Sequence, residues 1–152
     1  MRIAIGTDHA GFVLKERLVQ ELRLLGHEVE DLGTHAPEPP VDYPDTSIPV
    51  AERVADGRAD RGIVLGGSGI GEAIAANKVA GVRAAVVTSD ETARLTRLHN
   101  DSNVLALGGR TNRHDDAVRW LRVWLDTPFE GGRHDARLRK ITEYETTHLL
   151  KR

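Results

Sequence analysis

Ile63-Val64-Leu65-Gly66-Gly67-Ser68-Gly69-Ile70-Gly71-Glu72 joins a β-favouring run to a glycine-rich turn, and a helical pattern follows from Glu72 to Lys78. A strand that feeds a helix through such a turn is half of a βαβ unit, and the same order repeats outward in both directions. Towards the N-terminus, Arg2 to Gly6 reads as a short buried strand. Phe12 to Leu25 then carries Leu14, Leu18, Leu22 and Leu25 at helical spacing until Gly26 stops it. Glu28 to Leu32 is a weaker strand, and residues 33–44 are loop, carrying Pro37, Pro39, Pro40 and Pro44. A helix is predicted from Asp45 to Val54, with Pro49 delaying or kinking it. Towards the C-terminus, Ala84–Val87 and Val104–Leu107 are strands. Ser89 caps one predicted helix, Asp115–Leu125 forms the next with Trp120 and Trp124 in the core, and a last helix covers much of Arg133 to Leu149. This alternation predicts an α/β protein with a five-stranded parallel sheet covered on both faces. The 152 residues fit one domain, 1–152, with no repeat and no dividing linker.

Composition narrows the function. Lys and Arg total 21 against 23 Asp and Glu, a formal net charge of −2, which argues against a general polyanion binder and so against a nucleic-acid partner. The absence of cysteine removes disulfides, thiolate metal sites and cysteine catalysis. Met1-Arg2 runs straight into a strand, so no signal peptide is expected, and apolar runs are too short to span a membrane. A soluble, cytoplasmic protein is therefore expected. Charge is uneven: residues 1–109 carry a net −5 and residues 110–152 a net +3. The basic C-terminal segment fits anion recognition or self-association, and from charge alone a solvated Arg-rich helix explains it at least as well.

Ligands of open α/β sheets bind outside the carboxyl ends of the strands. There lie Asp8-His9, the Gly66–Glu72 turn and Gly108-Gly109-Arg110. The glycines suit an anion-holding nest of backbone N–H groups at a helix start; the alternative is a tight strand-to-helix turn with no ligand. Neither P-loop nor dinucleotide spacing is present, so no nucleotide cofactor is expected. Glu72 beside a row of N–H donors suits proton abstraction next to a carbonyl, the donors holding the oxyanion; it equally answers the helix macrodipole. Asp8 also reads as an N-cap, and His99 as a residue complementing a helix C-terminus. Arg133 and Arg137 share a helix face suited to phosphate. The histidines show no HExxH-type spacing, so no metal is expected.

Taken together these segments are specific. Gly6-Thr7-Asp8-His9-Ala10-Gly11, Asp42-Tyr43-Pro44-Asp45, Gly67-Ser68-Gly69-Ile70-Gly71, Ile74-Ala75-Ala76-Asn77-Lys78, Gly81-Val82-Arg83-Ala84-Ala85, His99-Asn100, Asn103-Val104, Gly108-Gly109-Arg110 and Arg133-His134 occur in order along the chain to about Tyr144. In these motifs the sequence resembles the ribose-5-phosphate isomerase B family, which also contains galactose-6-phosphate and allose-6-phosphate isomerases. The resemblance implies a Rossmann-like three-layer α/β/α sandwich acting as a homodimer or a dimer of dimers. Active sites would lie between subunits, with the C-terminal helix packed on the partner. It implies an aldose–ketose isomerase without metal or cofactor. The sequence departs from the commonest pattern at Gly66, where many members have the cysteine that acts as C2 base. It looks like the actinobacterial branch, whose base is a glutamate corresponding to Glu72.

The resemblance then implies roles. His99 opens the sugar ring with Asp8 assisting, Glu72 moves the proton between C2 and C1, and Ser68 and the amides of Gly67, Gly69 and Gly71 hold substrate oxygens. His9, Arg110, Arg133 and Arg137 anchor the phosphate, and Tyr43 and Asn100 join the binding set. Glutamate is ordinarily ionised well below neutral pH and a feeble base, so burial is expected to raise its pKa. Ribose 5-phosphate is the expected substrate. The sequence leaves open tetrose 4-, allose 6- or galactose 6-phosphate, one subunit of a hetero-oligomeric isomerase, and a non-catalytic sugar-phosphate-binding protein.

Overall fold

The expected alternation is realised in the computed structural model, which describes residues 1–149. The strands are β1 (Arg2–Thr7), β2 (Glu28–Asp31), β3 (Arg61–Gly66), β4 (Ala84–Val86) and β5 (Val104–Gly108). The helices are α1 (Phe12–Leu24), α2 (Pro44–Ala55), α3 (Ile70–Ala76), α4 (Asp90–Asn100), α5 (His114–Asp126) and α6 (Arg133–Tyr144). A single 3-10 turn, His9–Gly11, leads into α1, and α6 continues as a π-helical turn over Glu145–Leu149. All strand pairs are parallel in the order β2-β1-β3-β5-β4, so the chain reverses its direction of winding between β1 and β3. That crevice is where such sheets bind ligands.

Side-chain size sorts the two faces. Ile3, Ile5, Ile63, Leu65, Leu105 and Leu107 pack with α1 and α5, including Leu14, Leu18, Leu22, Trp120 and Trp124. Ala4, Val64, Val104 and Ala106 face the other way, against Val50 and Ala51 of α2 and Ala73 and Ala76 of α3. The smaller residues let α2 approach closely: a Cβ on Gly6 would stand 2.9 Å from the Thr46 carbonyl oxygen and from a Val50 methyl. Helix α2 starts one residue earlier than predicted, because Pro44 occupies its first turn, where a missing N–H costs nothing. It runs on through Pro49.

Two boundaries matter for the site. Helix α3 begins at Ile70, two residues before the sequence pattern does, because Gly69 turns the chain at φ 79°. Glu72 therefore stands in the first turn of α3. The short edge strand β4 is bracketed by a side chain: Asn77 donates to the Ala84 carbonyl at 2.9 Å and accepts from the Ala84 N–H at 2.8 Å.

Candidate active site

At the carboxyl end of β1, Asp8 caps the turn that enters α1. Its Oδ1 accepts from the amides of Ala10 at 2.9 Å and Gly11 at 3.3 Å, and the residue is 8% exposed. The sequence alternative of an N-cap is thus realised, while Oδ2 accepts no hydrogen bond among the described residues. The His9 Nδ1 accepts from the Val41 N–H at 3.3 Å, which ties the proline-rich loop over this end of the sheet. A neutral His9 consequently carries its proton on Nε2.

The neighbouring strands supply the glycine-rich turn. The amides of Gly109 and Arg110 donate to the carbonyls of Gly66 and Gly67 at 2.8 and 3.0 Å, so the β3 and β5 ends are locked together. The amides of Ser68 and Gly71 donate to no other backbone group among the described residues. The Ser68 Oγ accepts weakly from the Ile70 N–H at 3.3 Å, leaving its own O–H to point elsewhere. A Cβ on Gly69 would meet the Leu107 backbone at 2.9 Å, and one on Gly71 would meet the Tyr43 ring at 2.8 Å. Tyr43 therefore lies over the start of α3. Arg110 passes beside Gly67, 3.6 Å from where its Cβ would be.

Glu72 is the buried charge at the centre of this edge, 4% exposed. Helical side chains lean towards the N-terminus of their helix, and this carries the carboxylate back over the end of β3. It lands where a side chain at residue 66 would go: a Cβ built on Gly66 would overlap the Glu72 carboxyl group. Burial pushes the Glu72 carboxyl above its ordinary pKa; its own amide opposes this, the Asp8 carboxylate adds to the rise, and the Gly69 amide opposes it.

The remaining sequence-predicted residues gather elsewhere. His99 and Asn100 end α4, and the carbonyls of Asn100 and Asp101 accept from Arg83, the residue before β4. The Asn103 carbonyl accepts from Gly62 at the start of β3, whereas Glu72 sits at Gly66. Four residues of strand at about 3.3 Å each separate the two edges by roughly 13 Å. Asp8, His9, Tyr43, Ser68, Glu72 and Arg110 thus share one edge. His99, Asn100, Arg133 and Arg137 belong to a second group at the other edge and along α6.

That second group contains two residues the sequence reading gave no role. The ring of His134, 4% exposed, stacks on His99 with centroids 4.4 Å apart and planes 16° apart. The Glu130 Oε2 lies 3.2 Å from the His134 Nε2 and 3.8 Å from the His99 Nε2. These residues have the chemistry of metal ligands and lie close enough together. The nearly parallel, stacked rings lie in separate planes, however, so one ion could not sit in the plane of both imidazoles. Glu130 and His134 are four residues apart, but only the fold brings His99 to them, so no local pattern signals the group.

Comparison with known proteins finds matches over nearly the whole chain. The family described as Ribose/Galactose Isomerase matches residues 3–141. Ribose-5-phosphate isomerase B of Escherichia coli is 46% identical over 95% of this chain and 96% of its own. The structure of the Clostridium thermocellum ribose-5-phosphate isomerase B superposes with a TM-score of 0.95 at 50% identity, covering 97% of this chain and 99% of that one. The Mycoplasma genitalium ribose-5-phosphate isomerase B with bound ribulose-5-phosphate gives 0.93 at 39% identity, covering 96% and 97%.

Proposed function

Because the chain belongs to the ribose/galactose isomerase family, we propose that it interconverts ribose 5-phosphate and ribulose 5-phosphate through an enediolate, with Glu72 as the base. One observation carries the assignment of the base. The Glu72 carboxylate fills the space above Gly66, the position from which many family members present a cysteine. The base is thus supplied from α3 instead of from the strand end.

The reaction begins with ring opening. The C1–O4 bond breaks with its electron pair going to O4, which takes a proton from His99, while O1 releases its proton to the free Oδ2 of Asp8 and becomes the carbonyl oxygen. Glu72 removes the C2 proton of the open aldose. The electron pair moves into the C1–C2 bond and charge collects on O1, where the unoccupied amides of Ser68 and Gly71 hydrogen-bond it. Protonated Glu72 returns the proton to C1 while the O2 hydroxyl passes its proton to O1, so that O2 becomes the carbonyl and O1 the hydroxyl of the ketose. Burial supports this role, since a carboxylate with a raised pKa is a stronger base than a solvated one.

The separation of the two edges supports a site shared between two copies of the chain. One copy contributes Asp8, Ser68 and Glu72, the other His99, Asn100, Arg133 and Arg137. Arg110 and His9 complete the phosphate grip, whose binding energy holds C2 against the base. Helix α6 and its extension expose Ile141, Tyr144 and Leu149 at 50%, 58% and 52%, an apolar face fit to be covered by the second copy. Among the described residues, no helix is long and apolar enough to cross a membrane. The absence of cysteine also fits work in the cytoplasm. Replacing Glu72 by Gln tests the reading: turnover and solvent-hydrogen exchange at C2 should both disappear, and retained exchange would remove Glu72 from the role.

A further inference from the structure

Glu130 lies outside every segment that pointed to chemistry, yet its carboxylate faces the ring of His99. We infer that Glu130, backed by the buried ring of His134, is a positioning residue for ring opening: the Glu130 carboxylate and the stacked imidazole of His134 hold the His99 ring in the orientation from which it meets the sugar ring oxygen. The inference rests on the ring-opening role proposed above for His99.

Three features build the arrangement. The Glu130 amide donates to the Leu98 carbonyl at 3.0 Å, pinning the loop between α5 and α6 to the last turn of α4, next to His99. Gly131 and Gly132 then turn the chain at φ 70° and 60°, conformations other residues rarely adopt, so α6 starts with His134 directed back under His99. The Arg137 Nη1 stands 3.5 Å from the His134 Nδ1. A guanidinium can only donate, so the His134 Nδ1 accepts and a neutral ring carries its proton on Nε2, the atom 3.2 Å from Glu130. That Nε2 is buried without a well-aligned hydrogen bond, and Glu130 is the acceptor beside it. His99 itself is left with two constraints, a ring against its face and a carboxylate 3.8 Å from its Nε2. At that distance the carboxylate orients the ring without binding it, so the imidazole stays available to substrate. Glu130 is exposed and makes no other side-chain contact of this kind among the described residues, so the fold does not depend on its charge.

Ring opening can be measured apart from proton transfer at carbon. Ribulose 5-phosphate cannot close a ring through its esterified O5, so exchange of its C1 hydrogen with deuterated solvent needs Glu72 and not His99. In the intact oligomer, Glu130→Gln should slow conversion of ribose 5-phosphate about tenfold or more while C1 exchange and the KM for ribulose 5-phosphate stay within about twofold. His99→Asn should show the same split, more strongly. Equal loss of conversion and exchange in Glu130→Gln, or a raised KM for ribulose 5-phosphate, would overturn the inference, the latter in favour of phosphate anchoring. Unchanged conversion in Glu130→Gln beside a slowed His99→Asn would overturn it and leave the role of His99 standing. Unchanged conversion in His99→Asn would remove both.

Discussion

Glu72 concentrates the physical tension of this protein. A carboxylate held 4% exposed above a strand end is costlier to ionise folded than unfolded, and the direction of its pKa shift says so. The sign follows directly: a raised folded pKa stabilises the fold below the unfolded value and loses that contribution as pH rises through the folded one. Glu72→Gln should therefore melt near the wild-type temperature at pH 4 and above it at pH 8, with the difference opening from the ordinary value of 4.5 upward. A melting series across that range checks it. The acid limb of kcat/KM in the wild type should likewise fall above 4.5. Gly66 is the complementary residue. A methyl group there meets the end of the Glu72 side chain and not backbone, so Gly66→Ala should fold, yet lose about 100-fold in kcat by displacing the proposed base. Equal kcat would show that the carboxylate works from elsewhere. The sequence named Glu72 through its neighbours, but its seat over Gly66 depended on α3 starting at Ile70.

At the scale of elements, the sheet is asymmetric by side-chain size, and that sets how near each helix layer can come. Isoleucine and leucine hold α1 and α5 off one face, whereas alanine, valine and glycine let α2 and α3 settle close on the other. Gly6 is the tightest test of this. Its missing Cβ would press on the backbone oxygen of Thr46, which cannot rotate aside, so Gly6→Ala should cost about 1–3 kcal/mol in urea unfolding. A change below about 0.5 kcal/mol would mean that α2 adjusts freely. Strand and helix order was legible because it follows from periodicity within a dozen residues. Layer spacing was not, since Gly6 reads in the sequence only as the end of a strand.

Across the whole molecule, the candidate site residues divide between two ends of the sheet, about 13 Å apart by strand rise. A site assembled from two copies makes a sharp prediction for mixtures. Glu72→Gln and His99→Asn, each impaired alone, should recover on subunit exchange up to about a quarter of wild-type ribose 5-phosphate turnover, since half the dimers are mixed and one site in each is intact. No recovery after verified exchange would put both residues of a site on one chain. What the sequence determined by itself was the fold class, the order of elements and the groups at the carboxyl edge. Asp8, Ser68 and Glu72 each lie within a few residues of a strand end, and strand ends are written in local periodicity and turn chemistry. Tertiary structure alone decided that Glu72 stands in for a side chain at residue 66, that His99 meets Glu130 and His134, and that these two groups face opposite edges. Those relations join residues far apart in the chain, and their distances are set by how helices pack on a twisted sheet, which no local pattern encodes.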